Sequence, residues 1–99
     1  MRIEYKNNNL RKVCTDYTKA SKSYGERMAE LIHLRIDQLM AADSVDQMVK
    51  FSIGRCHPLH GDREGQYALD LVHPHRLIFI RVNDEIKIVR IVEIVDDYH

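Results

Sequence analysis

The stretch YALDLVHPHRLIFIRVNDEIKIVRIVEIV, residues 67–95, divides into three apolar segments separated by two turn signals. Tyr67, Leu69 and Leu71 alternate with Ala68, Asp70 and Val72, and His73-Pro74-His75 then turns the chain. Residues 76–82 run back as a second segment, and Asn83-Asp84 turns the chain again. In residues 86–95, Ile86, Ile88, Val92 and Ile94 share one parity, with Val89 and Ile91 apolar in the other. That pattern suits a long or bulged strand, buried on both faces for part of its length. Three such segments predict an antiparallel meander.

Upstream the period changes from two residues to helical spacing. Over residues 25–42, Met28, Leu31, Ile32, Ile36, Leu39 and Met40 recur at i, i+3 and i+4, one apolar stripe on a helix. Methionines at that spacing read as core filler. Ser44 and Gln47 have the form of a capping box that opens a short helix through Met48 and Val49. Earlier, Asn7-Asn8-Asn9 can cap a brief helix carrying Leu10 and Val13, and Arg2-Ile3-Glu4-Tyr5 alternates like a short strand. Residues 15–23 are polar without periodic apolar positions, and read as a connector. Helices before strands without strand–helix–strand alternation indicate an α+β fold. We expect an N-terminal short strand and two or three helices packed on a C-terminal antiparallel β-sheet, in a single domain spanning residues 1–99.

Composition narrows the function classes. With 99 residues, 44% hydrophobic and 30% charged, the chain is of a size to form one core, and a two-domain enzyme is excluded. Apolar runs such as Leu77-Ile78-Phe79-Ile80 reach only four residues, against roughly 20 for a membrane helix. The two cysteines, Cys14 and Cys56, are too few for a disulfide scaffold, and no charged-then-apolar leader opens the sequence. A cytoplasmic protein with no membrane partner is expected. The net charge of zero argues against coating nucleic acid by bulk charge, but it is unevenly distributed. Residues 1–35 hold eight Lys/Arg and four Asp/Glu, a balance of +4, so the remainder carries −4.

Six histidines stand out. His57 and His60 flank Pro58-Leu59, His73 and His75 bracket Pro74, His99 is the final residue, and only His33 lies in the helical stripe. Imidazole, with an ordinary pKa of about 6.5, is suited to proton transfer at neutral pH. Cys56, His57 and His60 have the residue types of a metal site but lack the second ligand pair that a structural zinc site needs. The cysteines read as buried, inert thiols, with a Cys-His nucleophile pair as the weaker alternative. Gly61-Asp62-Arg63-Glu64-Gly65 reads as a turn into a strand, with Asp62 and Arg63 as a turn ion pair. It is no phosphate loop, since Gly-Lys-Ser/Thr is missing.

Three motifs in order resemble one family. His57-Pro58-Leu59-His60-Gly61-Asp62-Arg63-Glu64-Gly65-Gln66-Tyr67, then Arg76-Leu77-Ile78-Phe79, then Val92-Glu93-Ile94-Val95-Asp96-Asp97-Tyr98-His99 are similar to the HigB toxins of the RelE-like superfamily, also called plasmid-maintenance killer proteins. The motifs cover the chain from about residue 52; the N-terminal half matches in element pattern and length. The resemblance implies a type II toxin that enters the ribosomal A site and cleaves mRNA. A helix-turn-helix, HigA-like antitoxin encoded beside it would silence it, and operator DNA would be met only through the antitoxin complex. The implied catalytic positions are His57, His60, Arg76, Asp97, Tyr98 and His99, with no cofactor and no metal. His60 stands where the family commonly has lysine, and the doubled Asp96-Asp97 is a smaller departure.

The chemistry fits these residue types. RNA cleavage without a metal needs a base for the 2′-hydroxyl, an acid for the leaving 5′-oxygen and cations around the phosphorane-like transition state. His99 with His57 or His60 would share the proton transfers, Arg76 would contact phosphate, Tyr98 would stack on or orient a base, and Asp97 would orient an imidazole. The sequence leaves open which histidine is acid and which is base. Two other readings are a catalytically weakened homologue acting as an antitoxin-binding corepressor, and a metal-dependent nuclease built on Cys56, His57 and His60.

Overall fold

Local capping explains the helical layer of the computed structural model, which describes residues 1–96. Helix α1 (Asn8–Thr15) opens where the Asn7 side chain accepts the Leu10 N–H at 2.9 Å. Asp16 ends α1 and starts α2 (Tyr17–Tyr24), its carboxylate accepting from the amides of Thr18 and Lys19 at 3.0 and 3.3 Å. The expected connector over residues 15–23 is therefore mostly helix. Its apolar stripe is missing because α2 buries one small side chain, Ala20.

Gly25, at φ 89°, turns α2 into α3 (Glu26–Ala41), which buries Met28, Ala29, Ile32, Ile36 and Leu39. Met40 was expected in that stripe but is 58% exposed, since the helix has rotated its contact face past it. The Ser44 hydroxyl accepts the Gln47 N–H at 3.0 Å and opens α4 (Val45–Lys50). The Gln47 side chain reaches the amide of Asp43, one residue upstream of the expected reciprocal bond. Four helices thus stand where two or three were expected. The α-amino group of Met1 donates to the carbonyls of Leu39, Met40 and Ala42 and satisfies the C-terminal end of α3.

The sheet contains β1 (Arg2–Tyr5), β2 (His57–Pro58), β3 (Gln66–Asp70), β4 (His75–Asn83) and β5 (Ile88–Asp96), in the order β1-β5-β4-β3-β2. The meander β3-β4-β5 is antiparallel as expected, and β2 pairs antiparallel with β3. The expectation of a wholly antiparallel sheet fails at β1, which runs parallel to β5 with Arg2 opposite Ile88. The physical reason is the crossover. The chain passes through the helical layer between β1 and the meander, and such a long connection permits parallel pairing. In β5 the register moves from Ile78↔Glu93 to Phe79↔Ile91, leaving Val92 as the extra residue of a bulge.

The helical layer of the described residues covers one sheet face, with α2 packed chiefly on α3 and α1. Phe79, Leu77, Leu69, Ile91 and Val89 from the sheet meet Ile32, Leu39, Met48 and Val13 in the main core. Full burial of each large side chain contributes about 1.5–3 kcal/mol. At one end of this layer Arg81 ties α4 to the sheet. It bonds the Asp46 carboxylate at 2.6 Å, donates to the Tyr67 hydroxyl at 3.0 Å, and lies over the ring of Tyr67, itself stacked on Phe79. The other sheet face carries no helix. Its apolar content is a small strip of Ala68, Ile78 and Val95 with Leu59 and Val92.

Candidate active site

Directly opposed residues of neighbouring strands project to the same side of a sheet. His57 opposes Ala68, which opposes Ile78, which opposes Glu93; the next polar rank is Asp70, Arg76 and Val95. His57, Asp70, Arg76 and Glu93 therefore belong to the helix-free face, while Leu77 and Phe79 point into the core. The ranks of His57 and Arg76 lie two strand residues apart, about 7 Å along the chain. The sequence-predicted pair is thus brought onto one surface by the meander.

Asp70 draws two guanidinium groups toward it. Arg55 Nε stands 3.2 Å from one of its carboxylate oxygens and Arg76 Nε 4.0 Å from the other. Arg55, Asp70 and Arg76 line a cleft of ≈ 240 Å³ together with Leu71, His73, Pro74 and His75. His75 opens β4, its Nδ1 lies 3.3 Å from the Val72 carbonyl, and its ring meets the Tyr24 ring of α2 edge-on. The cleft joins the end of the sheet to the helical layer.

His57 has a defined protonation geometry. Its Nδ1 lies 2.7 Å from the Arg55 carbonyl, and a carbonyl oxygen only accepts, so the neutral ring carries its proton on Nδ1. The lone pair is then on Nε2, the form that a general base requires. Arg55 presents that carbonyl from a 3₁₀ turn, Ile53–Arg55, in which Gly54 and Arg55 both have positive φ, as does the preceding Ser52. For the non-glycine residues this left-handed backbone costs on the order of 1–3 kcal/mol each, sustained by the surrounding fold.

The remaining predicted residues are less close. His60 is exposed, directly precedes the 3₁₀ turn Gly61–Arg63, and lies three residues beyond His57 toward the end of the sheet away from Arg76. The structure does not join it to Arg76. Asp97, Tyr98 and His99 lie outside the described residues; the last described residue, Asp96, pairs with His75, one rank from Arg76. The expected Asp62–Arg63 ion pair is replaced by a longer-range one. Arg63 reaches Glu93 of β5 at 3.1 Å and Gln66 at 2.9 Å, because the turn directs its side chain over the open face.

Cys56 packs into the main core although His57 faces the other way, which separates the trio Cys56, His57 and His60. Burial pushes its thiol up to about 11 and that of Cys14 up to about 12, so both are protonated at neutral pH. Among the described residues no three His, Cys, Asp or Glu side chains are placed to hold a metal ion. His33 ties α3 to α1 through Nε2 and the Val13 carbonyl at 3.2 Å, with Tyr17 edge-on to its ring. Arg55, Asp70 and His75 line the cleft beside Arg76, and the sequence reading did not single them out as candidates. Arg55 gives no periodic signal because it lies in a turn, and His75 reads as a turn residue. Asp70, an acid at a strand position that alternation marks as facing away from the core, was the available sign.

No family model matches the chain, and no curated protein does. Solved structures do. The YoeB–YefM complex from Staphylococcus aureus aligns with TM-score 0.63 at 18% identity, over 100% of this chain and 97% of that one. The YoeB/ParE toxin from Agrobacterium tumefaciens gives 0.59 at 18%, over 99% and 100%. The YoeB dimer from Staphylococcus aureus gives 0.54 at 20%, over 100% and 97%. This chain has the fold of the YoeB toxins. The RelE-like α+β fold expected from the three motifs is therefore the fold observed, across nearly the whole of both chains. YoeB and YoeB/ParE are the toxins these structures name, so the finer likeness to HigB rests on the sequence motifs alone.

Proposed function

We propose that this protein is the toxin of a type II toxin–antitoxin pair, a HigB-like, ribosome-dependent endoribonuclease that cleaves mRNA in the A site. The observation that carries the reading is the placement of His57, with its free Nε2, on the same open sheet face as Arg76, Asp70 and Arg55. A shallow face suits an extended RNA strand better than a closed cavity. His57 Nε2 takes the proton of a 2′-hydroxyl, the 2′-oxygen forms a bond to phosphorus, and the bond from phosphorus to the 5′-oxygen breaks. His99 supplies the proton that the leaving 5′-oxygen takes up. Products are a 2′,3′-cyclic phosphate and a 5′-hydroxyl end. Arg76 and Arg55 face the phosphate charge that grows in the transition state. Tyr98 stacks on a base, Asp97 orients the His99 ring, and His60 contacts the flanking backbone. The partners are a HigA-like antitoxin encoded alongside and the ribosome that presents the mRNA, which places the protein in the cytoplasm.

The test adds purified protein to translating ribosomes and maps the mRNA ends. We expect cleavage that persists when a zinc-selective chelator is added at constant Mg²⁺, is lost in Arg76→Ala and on deletion of residues 97–99, and is blocked by the antitoxin. Intact mRNA with antitoxin binding retained would overturn the enzymatic reading and favour the corepressor. Loss of cleavage in the zinc-selective chelator, with ribosomal Mg²⁺ left in place, would point to metal-dependent chemistry.

A further inference from the structure

Beneath the turn that presents Arg55 lies a side chain that no part of the chemistry above uses. Arg35, on the face of α3 that meets the sheet end, donates through Nε to the backbone carbonyl of Asp70 at 2.6 Å and through an amino group to Gln38 at 3.0 Å. Gly54 crosses directly over it. A Cβ at Gly54 would stand 2.9 Å from both Cδ and Nε of Arg35, closer than real side chains approach, and a tight 3.2 Å from a methyl of Leu69. Gly54 is also at φ +59°, so the position has neither the space nor the backbone for another residue. The next residue, Arg55, makes two contacts in different directions: its side chain pairs with the Asp70 carboxylate and its carbonyl accepts from His57 Nδ1.

We propose that Arg35 is a positioning residue that seats the Gly54–Arg55 turn on the end of β3 and thereby sets the tautomer of His57. Arg35 touches neither the proposed substrate nor the reacting atoms. It holds the Asp70 carbonyl from one side while Gly54 rests on its stem from the other, and this fixes how far the Arg55 carbonyl stands from the His57 ring. Lysine at this position keeps the charge but loses the planar Nε–H that meets the Asp70 carbonyl, and it has a different stem beneath Gly54. If the turn shifts, the Nδ1–H bond lengthens and nothing holds the proton on Nδ1. The base then spends part of its time with Nε2 already protonated. The role in catalysis rests on the function proposed above, but the effect on the ring does not.

The experiment follows ring-nitrogen resonances in ¹⁵N-histidine-labelled protein, comparing wild type, Arg35→Lys and Gly54→Ala. In the wild type we expect the neutral His57 ring to be the Nδ1–H form. In both variants its signals should move toward a mixture of tautomers, while those of His33, two residues before Arg35 on α3 but bonded to the Val13 carbonyl of α1, stay in place and report an intact fold. In the cleavage assay Arg35→Lys should lower kcat roughly 10- to 100-fold with little change in KM, the pattern of a misplaced catalytic group. Shortening the side chain that Gly54→Ala collides with should relieve part of its effect, so Arg35→Ala/Gly54→Ala should lose less than the two single changes added together. An unchanged His57 tautomer in Arg35→Lys with His33 also unchanged overturns the inference, whatever the activity. A shifted tautomer in a protein that cleaves no mRNA in any form supports the positioning role and instead removes the nuclease reading.

Discussion

Two arginine–aspartate clusters occupy opposite ends of the same sheet and have different geometries. At the α4 end, Arg81 is 25% exposed, bonds Asp46 at 2.6 Å and Asp84 at 3.4 Å, and donates to the Tyr67 hydroxyl. Its guanidinium is held more firmly protonated than usual, first by the Asp46 hydrogen bond, and it lies over the ring of Tyr67, which packs against the core. At the cleft end, Arg55 and Arg76 face one carboxylate, Asp70, at 3.2 and 4.0 Å, and Arg55 is 81% exposed. Short contacts to a carboxylate and to a core-packed ring specify architecture. Longer contacts along the wall of a cleft define the architecture less tightly, and under the proposed function an incoming phosphate would compete with Asp70 for them. The same two residue types thus serve as a rivet in one place and, under the proposed function, as a binding surface in the other.

Breaking each end should produce opposite phenotypes. The largest effect belongs to the cleft end: His57→Ala should lower mRNA cleavage about 10²–10⁴-fold, the usual contribution of a positioned acid or base. Its melting temperature should stay at the wild-type value, because the ring is partly exposed and outside both apolar clusters. At the other end Arg81→Ala should cost about 1–3 kcal/mol in urea unfolding, since it strips Tyr67 and Asp46 of a partner and removes the cover from the ring. Cleavage by the folded fraction should be unchanged. A variant pair in which Arg81→Ala abolished cleavage at full stability would dissolve the distinction between the ends.

How much of this was legible in the sequence follows from what each part buries. The meander and α3 announce themselves through Leu69, Leu77, Phe79, Ile32 and Leu39, whose periodicity exists because one face of each element must leave water. α2 has no such stripe, for it buries only Ala20 and is held by the Asp16 cap. The parallel pairing of β1 depends on a partner more than eighty residues away, and no local pattern encodes that. In the candidate site, His57 and Arg76 were singled out through a motif. Arg55 contributes a backbone carbonyl, which has no side-chain signature, and Arg35 acts from beneath through Gly54. Residues that act through their main chain or through space under a glycine are where sequence reasoning runs out.

A smaller change sharpens the contrast between the site and its surroundings. Cys56→Ala removes a side chain only 3% exposed, adjacent to His57 but pointed into the core. The cavity left by one sulfur atom should cost roughly 1 kcal/mol. Cleavage should remain within a few-fold of wild type, because a thiol pushed up to about 11 by burial is protonated at neutral pH. Loss of cleavage at retained stability would restore the cysteine–histidine nucleophile pair as the better mechanism.

The smallest effect tests the rivet through pH. Arg81 holds the Asp46 carboxyl below the usual carboxylate range, first by hydrogen bonding and then by its charge. A carboxyl lowered in the folded state stabilises the fold above its unfolded pKa of about 3.9, and that contribution is lost as pH falls through the folded value. Wild type should therefore melt slightly above Asp46→Asn at pH 7, and the gap should close below about pH 4. The Asp46 side chain is 81% exposed, so salt should shrink the gap as well. A gap that persists in high salt and below the pH at which the folded Asp46 carboxyl is fully protonated would show that Asp46 holds Arg81 by shape and hydrogen bonding in the neutral acid, and that charge has little part in fastening α4 to the sheet.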